Sequence, residues 1–168
     1  MIGLFFMKMW WIVSIIKLDK SERQILQILQ RQGRLSNVEV AQQVGLSESP
    51  CLRRVKALEQ AGIIEFYSAK LNQRLLGLQV TAFVLVTLEK SDEQIRQRFL
   101  DQVNSEDFIV ECHAMSGSYD YLMKVVATSM DHFSELCMNR ILKFAGVNNI
   151  ESQFSLQVVK QNAGLPVL

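Results

Sequence analysis

The sequence has few cysteines, histidines and prolines, and each shortage excludes a class of protein. Its three cysteines are an odd number without a Cys-x-x-Cys pair, which argues against a disulfide scaffold or a cysteine-rich zinc site and favours a reducing compartment. Two histidines are too few for a histidine-rich metal site, so we expect no metal and no cofactor. Two prolines and eight glycines exclude collagen-like and Pro/Gly-rich low-complexity chains.

The net charge is also small, but it hides an asymmetry. The formal charge of the 168 residues is +1. Residues 17–62 carry eight basic and five acidic side chains, whereas residues 63–168 carry nine basic and twelve acidic ones. A basic front joined to an acidic back indicates two modules, with any polyanionic partner bound at the front. The hydrophobic fraction of 49% is sufficient for a packed core and excludes global disorder.

Residues 1–16 are strongly apolar and are interrupted only by Lys8. A membrane-spanning helix needs about 20 residues, and the basic start and cleavage site of a signal peptide are missing. Three interpretations stay open: a non-native or mis-started extension that packs loosely; an interfacial anchor; or an extra helix or strand whose apolar surface an oligomer buries. We favour the first, because regular patterning begins only at Leu18.

Helix-start signals predict two short helices after residue 17. Asp19 with Glu22, and Ser36 with Glu39, have the three-residue spacing of a capping box, in which each side chain accepts from the other residue's backbone N–H. Apolar residues follow each signal at helical spacing.

A third helix is predicted from Ser47 to about residue 60, with Pro50 in its first turn and Gly62 at its end. Only three residues, beginning with Gly45, separate it from the second helix. Glycine permits the positive φ of a sharp turn. This is the pattern of a helix-turn-helix, whose second helix is presented to the DNA major groove.

The third helix has an apolar and a polar face. We assign Cys51, Leu52, Val55 and Leu58 to the first, and Ser49, Pro50, Arg53, Arg54 and Ala57 to the second. Arginine and serine bind guanine edges or phosphate, and a helix N-terminus adds N–H donors. The alternative is a charged face that is merely solvated.

The remainder alternates strands and helices. Residues 63–71 are predicted to form a connecting strand or wing, and the following pattern is βαββαβ, with strands at about 79–88, 108–115, 119–127 and 149–159. The helices are expected at about 92–103, with a capping-box start at Ser91, and from Ser129 to Gly146. This order is the ferredoxin-like fold. Its two helices cover one face of the sheet, so we expect a second copy to bury the other, which includes Phe83 and Leu85.

The turn before Tyr121 combines a glycine, a carboxylate and two tyrosines. Asp120 and backbone N–H groups suit the two charges of a small zwitterion. The alternative, which the sequence alone favours, is a hairpin in which Asp120 accepts from nearby backbone donors.

Several segments, LDKSERQIL, GRLS, VAQQVGLSESPCLRRVKALEQAGII and GSYDYLMKV, resemble motifs of the leucine-responsive/asparagine-responsive (Lrp/AsnC) transcriptional regulators. The resemblance covers residues 17 to about 166; Ser21 departs from it, where the family often has an acidic residue. It implies an α+β chain: a winged-helix-like helix-turn-helix domain at 17–64, a connecting strand and linker at 65–78, and a ferredoxin-like effector-binding and oligomerisation domain at 79–168, after an extension at 1–16.

The resemblance also implies partners and site residues. It predicts a cytoplasmic, non-enzymatic regulator that binds double-stranded DNA and an amino-acid effector, and that forms homodimers assembling into octamers or similar rings. The predicted DNA-facing residues are Ser47, Ser49, Pro50, Arg53, Arg54 and Lys56. The predicted effector-binding residues are His113, Gly117, Ser118, Tyr119, Asp120, Met130, Gln153 and Phe154. The alternatives are a membrane-tethered interaction module anchored by residues 1–16, and an enzyme on a ferredoxin-like sheet.

Overall fold

The computed structural model describes residues 17–89, 92–160 and 164–168. The predictions for residues 1–16, and the cap at Ser91, lie outside them. Contacts divide the chain into two compact units. The first consists of the described residues up to Ala69 together with those between Lys160 and Leu168, and the second is Lys70–Val159.

In its described residues the first unit has three helices: α1 (Lys20–Leu29), α2 (Asn37–Val44) and α3 (Glu48–Gln60). Both predicted capping boxes are formed, one by Asp19 with Glu22 and one by Ser36 with Glu39. The core is made of the buried residues Ile25, Leu29, Val40, Ala41, Cys51 and Leu58. Gly45 ends α2 in the left-handed conformation, with φ of 74°, which permits the abrupt turn into α3.

The predicted strand at 63–71 was wrong for the single chain. These residues form no strand, and Phe66 and Leu71 are exposed. A strand requires a neighbour to receive its backbone hydrogen bonds, and this segment has none among the described residues.

The second unit follows the order β1 (Val80–Leu88), α4 (Glu93–Asn104), β2 (Ile109–Ala114), β3 (Tyr121–Ala127), α5 (Met130–Glu135) and β4 (Val147–Phe154). The strands form one antiparallel sheet of order β2-β3-β1-β4, which is the ferredoxin-like arrangement that the sequence predicted. β4 ends five residues before the predicted limit. The predicted second helix is α-helical only through α5 and continues as a π turn (Leu136–Arg140) and a 3-10 turn (Ile141–Lys143).

The sheet has one covered and one open face. Val84 in β1 and Met123 in β3 are fully buried on the helix side. Phe83 lies on the opposite face and is 37% exposed, and Leu85 and Leu122 on that face are only partly buried. The open face, which has apolar residues at its centre and polar ones toward its edges, is the one that the sequence analysis assigned to a second copy.

Candidate functional site

The start of α3 is held by α2 and by the turn between them. Asn37, the first residue of α2, donates its side-chain N–H to the carbonyl of Glu48 over 2.9 Å. Ser47 is the N-cap of α3, but its hydroxyl makes no capping hydrogen bond. The first backbone N–H groups of α3 are therefore open to an acceptor such as a phosphate oxygen.

Five of the six predicted DNA-facing residues lie on the outer side of α3 or at its start. Ser47, Ser49, Arg53 and Lys56 are exposed, and Pro50 is half-buried in the first turn. Within the described ranges, Arg53 makes no ion pair, so its guanidinium is available for a base edge or a phosphate.

Arg54 does not present a free guanidinium, which corrects its assignment to the outer face. Its Nη1 forms an ion pair with Oδ2 of Asp19 and lies 3.4 Å from Oε1 of Glu22. The arginine thus joins α3 to the capping box that begins α1. The backbone N–H of Glu22, and the Arg54 guanidinium beside it, lower the pKa of Asp19.

The angular positions of residues around α3 are consistent with the inward placement of Arg54. At 100° per residue, Arg54 lies about 60° from the buried Cys51, whereas Leu52 lies about 100° away. Leu52 is accordingly 42% exposed, although it was assigned to the apolar face. Position alone therefore identifies Arg54 as a flanking residue of the core and Arg53 as the outward arginine.

The turn between β2 and β3 holds the first group of predicted effector residues. Gly117 has φ of 143°, a conformation that other residues rarely adopt, and Ser118 beside it is exposed. Asp120 accepts the backbone N–H of Leu88 on its carboxylate at 2.7 Å, and its own N–H donates to the carbonyl of Val86. Asp120 therefore ties the end of β1 to the start of β3, which is the alternative that the sequence favoured.

A cluster on β4 adds a residue that the sequence analysis missed. Glu151 accepts from the hydroxyl of Tyr119 and, at 3.1 Å, from the side-chain amide of Gln153. The hydrogen bond to Glu151 raises the pKa of Tyr119, and the same bond lowers the pKa of Glu151. The alternation along β4 could have identified Glu151, because it has the same parity as Gln153 on the open face.

His113 belongs to the same sheet face but to the opposite edge strand. It pairs with Leu122, which pairs with Leu85, which pairs with Glu151. Three strand spacings of about 4.8 Å place it about 14 Å from Glu151. His113 is instead close to Glu111, at 3.7 Å.

Met130 and Phe154 lie at the other end of the sheet from the Gly117–Asp120 turn. Phe154 pairs with Ala82 near the start of β1, and its ring packs edge-on against Phe133 of α5 at 5.0 Å. The six residue steps from Ala82 to Leu88 span about 20 Å of strand. One protomer therefore does not bring the predicted effector residues into a single pocket.

The described residues contain no cluster of three or more His, Cys, Asp or Glu side chains arranged for a metal ion. Among the described helices, none has the length and apolarity to cross a membrane. Burial raises the pKa values of the thiols of Cys51, Cys112 and Cys137, which favours inert over reactive cysteines.

Comparison of the sequence with protein families gives two matches that together span most of the chain. Residues 18–65 match the winged helix-turn-helix DNA-binding family, and residues 81–165 match the Lrp/AsnC ligand binding domain. The leucine-responsive regulatory proteins of Escherichia coli K12 and Klebsiella pneumoniae are each 38% identical to this chain over 150 residues, which is 89% of this chain and 92% of theirs.

Solved structures are similar over the same range. A transcriptional regulator from Neisseria meningitidis, in complex with L-Met, has a TM-score of 0.86 at 39% identity and covers 89% of this chain and 97% of its own. An AsnC family regulator from Agrobacterium tumefaciens has a TM-score of 0.84 at 30% identity over 89% and 97% of the two chains. These similarities support neither the membrane-tethered module nor the enzyme.

Proposed function

This chain belongs to the Lrp/AsnC family of transcription regulators, and on that premise we propose which of its residues contact DNA and where it takes its effector. It is a DNA-binding regulator with an amino-acid ligand-binding domain, and it is not an enzyme. As working limits of the domains we propose 17–64, 65–78 and 79–168. A regulator that acts on chromosomal DNA in bacteria works in the cytoplasm, which is the location we propose.

We propose that Ser47, Ser49, Arg53 and Lys56 contact DNA, with Pro50 shaping the first turn and Arg54 orienting the helix. The observation that carries this assignment is the contrast between the two adjacent arginines. Arg53 is exposed without an ionic partner among the described residues, and Arg54 is paired with Asp19 and Glu22. An arginine that reads a base pair contributes about 1–3 kcal/mol, whereas one that is already paired must first break its ion pairs.

A DNA-binding assay at fixed salt tests this assignment. We expect Arg53→Ala to weaken binding about 10- to 100-fold with an unchanged melting temperature. Arg31→Ala is the matched control, because Arg31 is an exposed arginine of the same unit outside α3. Equal affinities of the Arg53→Ala and Arg31→Ala variants would refute the proposed DNA surface.

We propose that the effector is a small apolar amino acid, with L-methionine as the first candidate, and that it binds where copies of the chain meet. Two arguments support this. The L-Met complex belongs to a relative that is 39% identical, and in one protomer Met130 and Phe154 lie about 20 Å of strand from the Gly117–Asp120 turn, which favours a pocket that a second copy completes. The open sheet face around Phe83 supports a dimer that assembles further.

Calorimetry and sedimentation test the effector proposal. L-Met should release heat and shift the distribution of oligomers, and D-Met should do neither. Met130→Ala should weaken L-Met binding about tenfold, whereas Met138→Ala, which removes another exposed methionine, should not. The proposal would be contradicted if none of the L-amino acids released heat on binding or changed the sedimentation of the protein.

A further inference from the structure

The side-chain amide of Gln30 holds the C-terminal segment of the chain. Its Nε2 donates to the carbonyl of Leu165 at 3.0 Å, and the N–H of Leu165 donates to its Oε1 at 2.8 Å. One amide thus pairs with both backbone groups of one residue, as a neighbouring residue does in an antiparallel ladder. The contact recognises an extended backbone and does not depend on the leucine side chain.

Gly164 fits this contact and a larger residue does not. Its φ is +81°, and a Cβ built on it would lie 2.5 Å from Cδ and 2.6 Å from Oε1 of Gln30. Any side chain at this position would displace the amide that makes both hydrogen bonds. The glycine and the glutamine therefore form a matched pair, although 134 positions separate them in the sequence.

The segment lines one side of a half-open, mainly apolar cavity of the first unit. The cavity has a volume of about 500 Å³, and aliphatic side chains of α1 and of the chain after α3 line it, with residues 165–168 on the remaining side. None of the predicted DNA-facing residues lines this cavity. Leu165 and Leu168 are 80% and 91% exposed, so these two side chains add little to the contact. Two hydrogen bonds of this kind make a contact that forms and opens readily.

We propose that Gly164–Leu168 is a latch, a short peptide of this chain that docks reversibly on its own DNA-binding unit. The chain after α3 connects that unit covalently to the rest of the protein. The docked latch connects it a second time, through the hydrogen bonds of Gln30 with Leu165. With two attachments, the DNA-binding unit can adopt fewer orientations than with one. In a dimer, once the unit of one copy is bound to DNA, docking therefore raises the effective concentration of the other copy's unit at the second half-site. None of the DNA-facing residues lines the cavity on which the latch docks, so the latch tunes binding to two half-sites and not binding to one.

Hydrogen exchange on the full chain tests the docking. The N–H of Leu165 should exchange about tenfold more slowly in the wild type than in Gln30→Ala or Gly164→Ala. Gln27→Ala, an exposed glutamine on the same helix, is the control and should leave the exchange rate unchanged. Equal rates in the wild type and in Gln30→Ala would overturn the latch.

A mixture of two variants distinguishes docking within one chain from docking between copies. One chain carries Gln30→Ala with an intact C-terminus, and the other keeps Gln30 but ends at Ala163. Docking within the chain predicts no protection of Leu165 in the mixture. Protection restored by mixing would overturn the assignment to the same chain.

A DNA-binding assay tests whether the latch tethers the unit. This part of the inference rests on the DNA-binding function proposed above. For Gln30→Ala, we expect the affinity for a two-half-site duplex to fall severalfold while that for a single half-site stays unchanged. An unchanged ratio of the two affinities, with the exchange result intact, would overturn the tethering. Failure of the wild type to bind the single half-site at all would instead contradict the proposed DNA surface, and it would leave the exchange result for docking unaffected.

Discussion

The two units of the chain hold their folds by different means. Among the described residues of the first unit, six buried hydrophobic residues form the core, and polar contacts fix the short helices: two capping boxes and the ion pair of Arg54 with Asp19. Among those of the second, thirteen buried residues between sheet and helices form the core. A small core leaves more of the stability to polar contacts, which can be undone without dismantling a packed interior.

This difference corresponds to the roles of the units. The DNA-binding unit exposes a helix face with polar residues and needs only that its helices keep their angles. The effector unit must keep a sheet intact although its own helices cover only one face of that sheet. Changes to packing should therefore affect the second unit most, and changes to charge should affect the first.

The largest expected effect is on packing in the second unit. Phe99 is fully buried and contacts Tyr121 at 4.8 Å and Phe144 at 6.3 Å between ring centroids. Phe99→Ala should lower the free energy of unfolding of this unit by about 3–5 kcal/mol. Scanning calorimetry should show that Phe99→Ala lowers the unfolding temperature of the second unit. Ile25→Ala should instead lower the unfolding temperature of the first unit. A common shift of both transitions would break the comparison.

The second unit also contains one exception, a buried charge. Glu106 is 4% exposed, and its Oε2 lies 2.6 Å from Nη2 of Arg140 in the π turn. Removing the arginine leaves the carboxylate with only the backbone N–H of Phe108 as a donor, at 3.3 Å. Arg140→Ala should therefore cost about 2 kcal/mol, less than for a fully buried pair because the arginine is half-exposed.

Chemical denaturation measures the effect of Arg140→Ala. Lys143→Ala, a nearby exposed lysine, should be nearly neutral, and adding Glu106→Gln to Arg140→Ala should recover most of the loss. Equal stability of the Arg140→Ala and Lys143→Ala variants would show that this carboxylate needs no partner.

A smaller effect is expected from the arginine clasp of the first unit. Arg54→Ala should lower the melting temperature of this unit by a few degrees, because α3 loses its ionic contact with the start of α1. Arg53→Ala should leave it unchanged. Circular dichroism melts of the two variants make the measurement, and identical melting temperatures would remove the distinction between the two arginines.

The smallest effect concerns acid. The pKa values of Asp19 and Glu39 are lowered, mainly by hydrogen bonds from Glu22 and Ser36 respectively. A lowered pKa means that the unfolded chain takes up protons first, so this stability is present above pH 4.5 and is lost as the pH falls through the folded pKa values.

Thermal melts between pH 3 and pH 6 check the acid effect. Asp19→Asn and Glu39→Gln should each make the melting temperature of the first unit depend less steeply on pH. A slope that neither substitution changes would contradict the role of the capping boxes.

The fold was predictable because its signals are local. The capping boxes of α1 and α2, the glycine at Gly45 and the alternation of β1 each depend on neighbours within a few residues. The strand expected at 63–71 failed for the opposite reason, because local β propensity cannot supply a partner strand.

The site was predictable only in part. Arg53 lies on the outer face, as expected, but a side-chain list could not show that Arg54 reaches Asp19, a residue 35 positions away. The parity of Glu151 with Gln153 along β4 was a signal for its face, but its contact with Tyr119 of the preceding turn exists only in the folded chain.

The sequence by itself determined the two units, the helix-turn-helix and the order of the strands, since periodicity and capping act over a few residues. Only the tertiary structure decided that Arg54 pairs with Asp19, which N–H the carboxylate of Asp120 accepts, and that Gln30 meets Leu165. These are pairings of polar groups distant in the chain, and their geometry exists only after the backbone has brought donor and acceptor within 3 Å or so of each other.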